Sequence, residues 1–166
     1  MKKTLIVVAV LLLPNISYSS SMKSIGKEGN ERKVSRVIVV KMHDNYYEPN
    51  KIKIKKGETV KFIVKNLGEL VHEYNIATKE MHLKHQPEMQ KMVDHEIILA
   101  DKINKSKMKK MSKIDNTMSH SHSNSLLLEP KKEGVIIWTF ETEADLEVAC
   151  NVPGHYEAGM IAKIIK

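Results

Sequence analysis

Cys150-Asn-Val-Pro-Gly-His155-Tyr-Glu-Ala-Gly-Met160 is the stretch from which the fold can be read. It opens on the only cysteine of the chain, and a histidine and a methionine follow at successive intervals of five residues. Thiolate, imidazole and thioether on one short loop are three of the four ligands of a trigonal His2Cys centre with a weak axial Met, the arrangement that holds copper. The missing second histidine is supplied by His72, in Gly68-Glu-Leu-Val-His72-Glu-Tyr-Asn-Ile76. The expected metal ligands are therefore His72, Cys150, His155 and Met160. Three ligands on one loop require a hairpin, with Cys150 at the end of one strand, Met160 at the start of the next, and Pro153-Gly154 forming the turn that carries His155 inward. Mounting the ligands on a sheet limits their rearrangement between the two oxidation states of copper. Other readings are weaker. A lone cysteine is often a small buried hydrophobe, zinc has little use for a thioether, and a Cys150/His155 nucleophilic pair lacks a third orienting group.

Outward from this loop the chain reads as short strands. Val34 to Met42, Lys51 to Lys55, Thr59 to Lys65, Val71 to Ile76, Ser125 to Leu128, Gly134 to Phe140, Leu146 to Cys150 and Met160 to Ile165 are rich in branched residues and separated by turn residues such as Lys56-Gly57-Glu58. About eight short strands without a helical period argue for an all-β, antiparallel Greek-key sandwich or barrel. Trp138, Phe62 and Phe140, among few aromatics, are the expected core anchors.

The amino terminus has a different character. Met1-Lys-Lys is basic, Thr4 to Leu13 is apolar, and Ser17-Tyr18-Ser19 offers small residues at a cleavage site, so residues 1–19 read as a signal peptide and the mature protein as periplasmic. The apolar run is far short of the roughly 20 residues a spanning helix needs, and no cysteine stands ready for a lipid, so no stable membrane anchor is expected. Residues 20–34 are polar and read as a flexible arm, leaving 35–166 as the domain. Exported proteins usually pair their cysteines; Cys150 has no partner and is left for a metal. Removal of Lys2 and Lys3 lowers the formal charge from +7 to +5. The lysines are spread along strands rather than gathered in a patch with aromatics, which excludes nucleic acid as the expected partner.

Residues 81–122 interrupt the domain. Between His72 and Cys150 lie 77 residues, and this part of them holds six of the ten methionines and five of the eight histidines. The candidates for additional copper are Met81, His82, His85, Met89, Met92, His95, Met108, Met111, Met118, His120 and His122. Met89-x2-Met92 and Met108-x2-Met111 place thioethers, which suit Cu(I), on one helical face, and His120-x-His122 suits Cu(II). For Met81 to Met92 a second reading stands beside this one, an apolar stripe packing a lid helix on the sandwich. Pro87 speaks against one continuous helix from residue 81, whereas a helix starting near it is allowed. From Met108 to His122 few other apolar residues are available to share a core, which favours metal binding or disorder.

Together, Tyr47-Glu-Pro-Asn-Lys-Ile52, Lys56-Gly57-Glu58-Thr59-Val60, Asn66-Leu-Gly-Glu-Leu-Val-His72 and the Cys-x4-His-x4-Met loop resemble the cupredoxin family over about residues 35 to 80 and 123 to 166. The Cys150–His155 interval is similar to that of azurin-like members, whereas His155 to Met160 is one residue longer. An exported chain, Val-His-Glu, a Met/His-rich insertion and this terminal loop resemble the periplasmic copper-tolerance cupredoxins of bacteria. The resemblance implies a type 1 copper protein that binds, buffers or oxidises periplasmic copper, with copper ions and periplasmic redox or copper-handling proteins as partners. The alternative is an electron carrier between redox enzymes. An enzyme is not expected, since a single such domain offers no second, substrate-binding copper cluster.

Overall fold

Alternation of apolar side chains with lysine or threonine lays down two sheets whose apolar faces meet. The computed structural model describes residues 25–166. Its strands are β1 (Lys27–Glu28), β2 (Arg36–His43), β3 (Tyr46–Glu48), β4 (Lys51–Lys53), β5 (Thr59–Asn66), β6 (His72–Ala77), β7 (Ser125–Leu128), β8 (Glu133–Thr139), β9 (Glu147–Ala149) and β10 (Ile161–Ile165). One sheet has the order β1-β8-β5-β2-β3 and the other β4-β10-β9-β6-β7. All eight expected strands are present; β1 and β3, two and three residues long, carry too little pattern to be read beforehand.

The pairing is not uniformly antiparallel. β2 runs parallel to β5 and β4 parallel to β10. The chain leaves the first sheet after β3, crosses to the second for β4 and returns, so it re-enters beside β2 in the same direction. Between the sheets Trp138, Phe62, Tyr47 and Tyr74 are fully buried and Phe140 nearly so. Burial of each is worth about 1.5–3 kcal/mol.

The reading of the amino-terminal arm is corrected. The segment 20–34 is not a free arm where it is described: Ile25 is buried, its carbonyl accepts from Trp138 Nε1 at 3.0 Å, and β1 pairs with β8. The signal peptide proposed for residues 1–19 lies outside the described residues. No helix among those described is long and apolar enough to cross a membrane.

The interruption is an ordered cap. Thr78 caps α1 (Lys79–Asp94) by accepting from Met81 N, and the helix continues through Pro87. A continuous helix is therefore formed where Pro87 argued against one; the residue four before it, Leu83, is exposed, and packing of the opposite face outweighs the lost hydrogen bond. Met89 and Met92 on that buried face are fully enclosed, with Ile97 and Ile98 beside them in the core. A loop then leads to α2 (Lys105–Met111) and a 3-10 turn (Asn116–Ser119). This last part is neither disordered nor short of apolar partners: Met118 is buried, and Met81, Met108 and Met111 pack against the core that Met89, Met92 and Ile97 extend.

Candidate metal centre

At one end of the sandwich three of the expected ligands converge. β9 and β10 pair through Ala149 and Ile161, and Cys150 N–H donates to Met160 O at 3.2 Å, so the ladder continues one step beyond the strands and fixes the loop at its base. Within the loop Met160 N donates to His155 O at 3.0 Å, and Gly154 and Gly159 take φ values of +86° and +89°, open to glycine at no steric cost. His155 Nδ1 lies 3.3 Å from Cys150 Sγ and 3.2 Å from His72 Nδ1, while His72 Nδ1 is 4.0 Å from the same sulfur. Cys150, His72 and Met160 are fully buried and His155 half-buried. It borders an apolar cleft lined by Leu70, Val71, Ile98, Val152 and Pro153.

The surroundings set the chemistry of these donors. Burial lowers the proton affinity of His72, against the hydrogen bond it donates to Asp44, and burial followed by the proximity of His72 lowers that of His155. Both imidazoles are thus neutral near pH 7, as ligands must be. Burial pushes the Cys150 thiol up to about 12, with the Glu73 N–H at 3.3 Å working the other way. Only a bound cation would bring the thiolate out near neutrality. Two neutral Nδ1 atoms and a sulfur facing one another in a buried site are a donor set that fits copper.

Two residues that sequence reasoning missed organise this set. Asp44, in the turn between β2 and β3, places Oδ1 2.9 Å from His72 Nε2 and accepts from Glu69 N and Leu70 N, both on the segment leading to His72. It fixes the ring so that Nδ1 is the free nitrogen. Asp44-Asn45 is legible as turn residues, but no spacing rule connects it to His72. Glu73 is the second. Every residue of β6 is buried, because the core covers one face and the cap the other. On the cap side, the Glu73 carboxylate accepts from His120 Nε2 and Ser125 Oγ at 2.8 Å, Asn75 Nδ2 at 3.1 Å, Asn151 N at 3.1 Å and Asn151 Nδ2 at 2.7 Å. Burial alone would raise its proton affinity; His120 and His85 outweigh that and hold it well below the usual carboxylate range.

The histidines of the cap separate into groups. His85, His120 and His122 come together, with ring centroids 5.4 to 5.7 Å apart. His82 is buried elsewhere on α1, its Nδ1 3.1 Å from Asn151 Nδ2, and His95 is exposed at the end of the helix. The methionines sit in or against the apolar core, where the packed-lid reading placed Met81 to Met92.

Two sheets of this topology and a His/Cys/His cluster at one end define a blue-copper fold, and the chain belongs to the cupredoxin-like family: residues 5–103 match the model of the cupredoxin-like domain. It is 37% identical to the copper-resistant cuproprotein CopI of Pseudomonas aeruginosa, over 97% of this chain and 93% of that protein. The copper-resistant cuproprotein CopI of Rubrivivax gelatinosus is 29% identical over 84% of this chain and 72% of its own length. Reduced auracyanin from Roseiflexus castenholzii superposes with a TM-score of 0.56 at 16% identity, covering 80% of this chain and 97% of that one. The protein is a copper protein of this fold.

Proposed function

We propose that the protein is exported to the periplasm and contributes to copper tolerance, holding one type 1 copper through His72, Cys150, His155 and Met160 and using it to buffer or redox-handle copper. The observation that carries the site is the buried convergence of His72 Nδ1, His155 Nδ1 and Cys150 Sγ. Tolerance rather than routine electron transport is supported by similarity to copper-resistant cuproproteins along nearly the whole chain, cap included. When bound, copper would supply one-electron chemistry. The chain's own part is to keep two imidazoles neutral, to orient His72 through Asp44, and to shield Cys150 from water.

The test combines spectroscopy with growth. Cu(II)-loaded protein should show intense visible absorption from thiolate to copper, absent in Cys150→Ser. Cells lacking the protein should grow normally on trace copper and fail at elevated copper. A colourless Cu(II)-loaded wild type would remove the site assignment. The apolar cleft beside half-buried His155 favours one second reading, an electron carrier whose partner docks there. That reading expects a respiratory defect at ordinary copper with no copper sensitivity.

A further inference from the structure

The cap brings a second set of metal-binding donors onto the other face of β6. His85 lies on α1, while His120 and His122 follow the 3-10 turn. His120 takes a left-handed conformation, φ +46°, at the end of the 3-10 turn. Around it the three rings stand at nearly equal separations of 5.7, 5.4 and 5.6 Å. Glu73, His85 and His120 offer ligand atoms within 4.8 Å of one another, and so do His85, Glu88 and His122.

The free valences point to one ring atom. Glu88 Oε2 engages His85 Nδ1 at 2.8 Å, which leaves Nε2 of that ring. His85 Nε2 is buried 3.3 Å from Glu73 Oε1 without hydrogen-bonding geometry, and His122 Nε2 is buried with no partner among the described residues. His120 Nε2 meets the same Glu73 oxygen at 2.8 Å. An unpartnered buried nitrogen costs free energy unless something satisfies it; His122 Nε2 is such a group, and it shares one place with His85 Nε2, which faces the ionised Glu73 carboxylate as an ion pair. A carboxylate holding the far nitrogen of a ligating histidine is the usual outer support of a metal site; Glu88 does this for His85.

We propose that His85, His120 and His122, through their Nε2 atoms and with Glu73 as the fourth donor, form a second copper site that takes Cu(II). Three imidazoles and a carboxylate are borderline donors without sulfur, so they favour the divalent ion, and copper heads the affinity order of the divalent metals on such donors. Glu73 joins the two sites: its carboxylate faces the second, and its own N–H donates to Cys150 Sγ in the first. The sites share no ligand side chain, so the second holds copper whether or not the first does.

Titration with Cu(II) alone, followed by optical and EPR spectra, tests the proposal on wild type, Cys150→Ser, the double variant His85→Ala/His122→Ala, and His122→Gln. Circular dichroism checks that each variant is folded. Wild type should take up a second equivalent with a nitrogen-coordinated EPR signal and no added visible band. Cys150→Ser should lose the visible band and keep that signal. The double variant should lose the signal and keep the band; His122→Gln, on a half-buried loop, repeats the test with less disturbance. A second equivalent that survives in both histidine variants is bound elsewhere and overturns the proposal. So does a wild type that binds one coloured copper while Cys150→Ser binds none. If instead wild type is colourless yet retains the EPR signal that the histidine variants lose, the second site stands and the first-site assignment fails.

Discussion

Replacing Glu73 with glutamine should destabilise the copper-free protein by about 3–5 kcal/mol, the range for removing one member of a buried charge pair. Five hydrogen-bond donors converge on the carboxylate: His120, Ser125 and Asn75 on one oxygen, Asn151 N and Nδ2 on the other. Glutamine keeps the shape but exchanges one acceptor for a donor. His120 and Ser125 can reverse their roles, whereas the backbone N–H of Asn151 cannot, so the amide oxygen must turn towards Asn151. The histidine side then faces an NH2 group and loses the anion that balances His85. Burial disfavours the His85 cation, but Glu73 and Glu88 raise it to about 9, so in the copper-free protein the ring is charged near neutrality, and copper at the proposed second site would displace that proton. Urea unfolding in the presence of a chelator measures the difference directly, and thermal unfolding should shift by roughly 6–20 °C for a domain of this size. Glu73 has a depressed folded value, so its contribution is present above the ordinary glutamate range and is lost only as pH falls through that lower value. The part of the gap owed to Glu73 itself should hold from about pH 5 upward, whereas the part owed to the raised value of His85 should be fully present below about pH 6.5 and shrink as pH rises towards about 9. A loss below about 1 kcal/mol, or a gap that opens only above about pH 6, would refute the reading of Glu73 as an ionised anchor of the copper-free cap.

Three further outcomes are expected. Met89→Ala should lower stability by about 2–5 kcal/mol through the cavity it leaves without changing the number of Cu(I) ions bound in competition with a chelator; fewer ions at unchanged stability would restore the thioether as a ligand. Asp44→Ala should weaken copper binding by about 10–100-fold, the usual effect of losing an outer support, while the visible band persists, and unchanged affinity in competitive titration would dismiss its role in orienting His72. Lys91, Thr117 Oγ and Thr117 N hold Asp115 at about 2; with the folded value depressed, its hold on the 3-10 turn is present above about pH 4 and lost as pH falls through about 2, so exchange of the Thr117 amide should accelerate in that acid range and be independent of pH-linked opening above it.

The strands were legible because their period is local: Val60, Phe62 and Val64 alternate with lysines, and all three are fully buried. The Cys150–Met160 loop was legible because three ligand types at fixed intervals demand a hairpin. What escaped depends on contacts distant in sequence. Asp44 looks like any turn aspartate until β2 and β3 bring it to within 2.9 Å of His72. Glu73 looks like a solvent-side residue of a half-buried strand, and gathers five hydrogen-bond donors only because the cap covers that side. The cap itself was misjudged from residue 108 on because its apolar partners lie before it, at Met89, Met92 and Ile97, and composition taken window by window cannot register them.

That packing changes what the Met/His-rich segment can be. A tail that gathers copper on flexible thioethers would keep its methionines in water, free to rearrange around Cu(I). Here Met89, Met92 and Met118 are enclosed, and Val71, the residue before the proposed ligand His72, donates its N–H to Ala100 of the cap at 2.7 Å. Removing residues 81–122 would therefore uncover the outer face of β6, strand Glu73 without His85 and His120, and free the segment that carries His72. Loss of the visible band in such a deletion would report a damaged scaffold rather than missing ligands. The proposed metal chemistry of the cap rests on its histidines, whereas its methionines are part of its packing, so only point substitutions can separate the two.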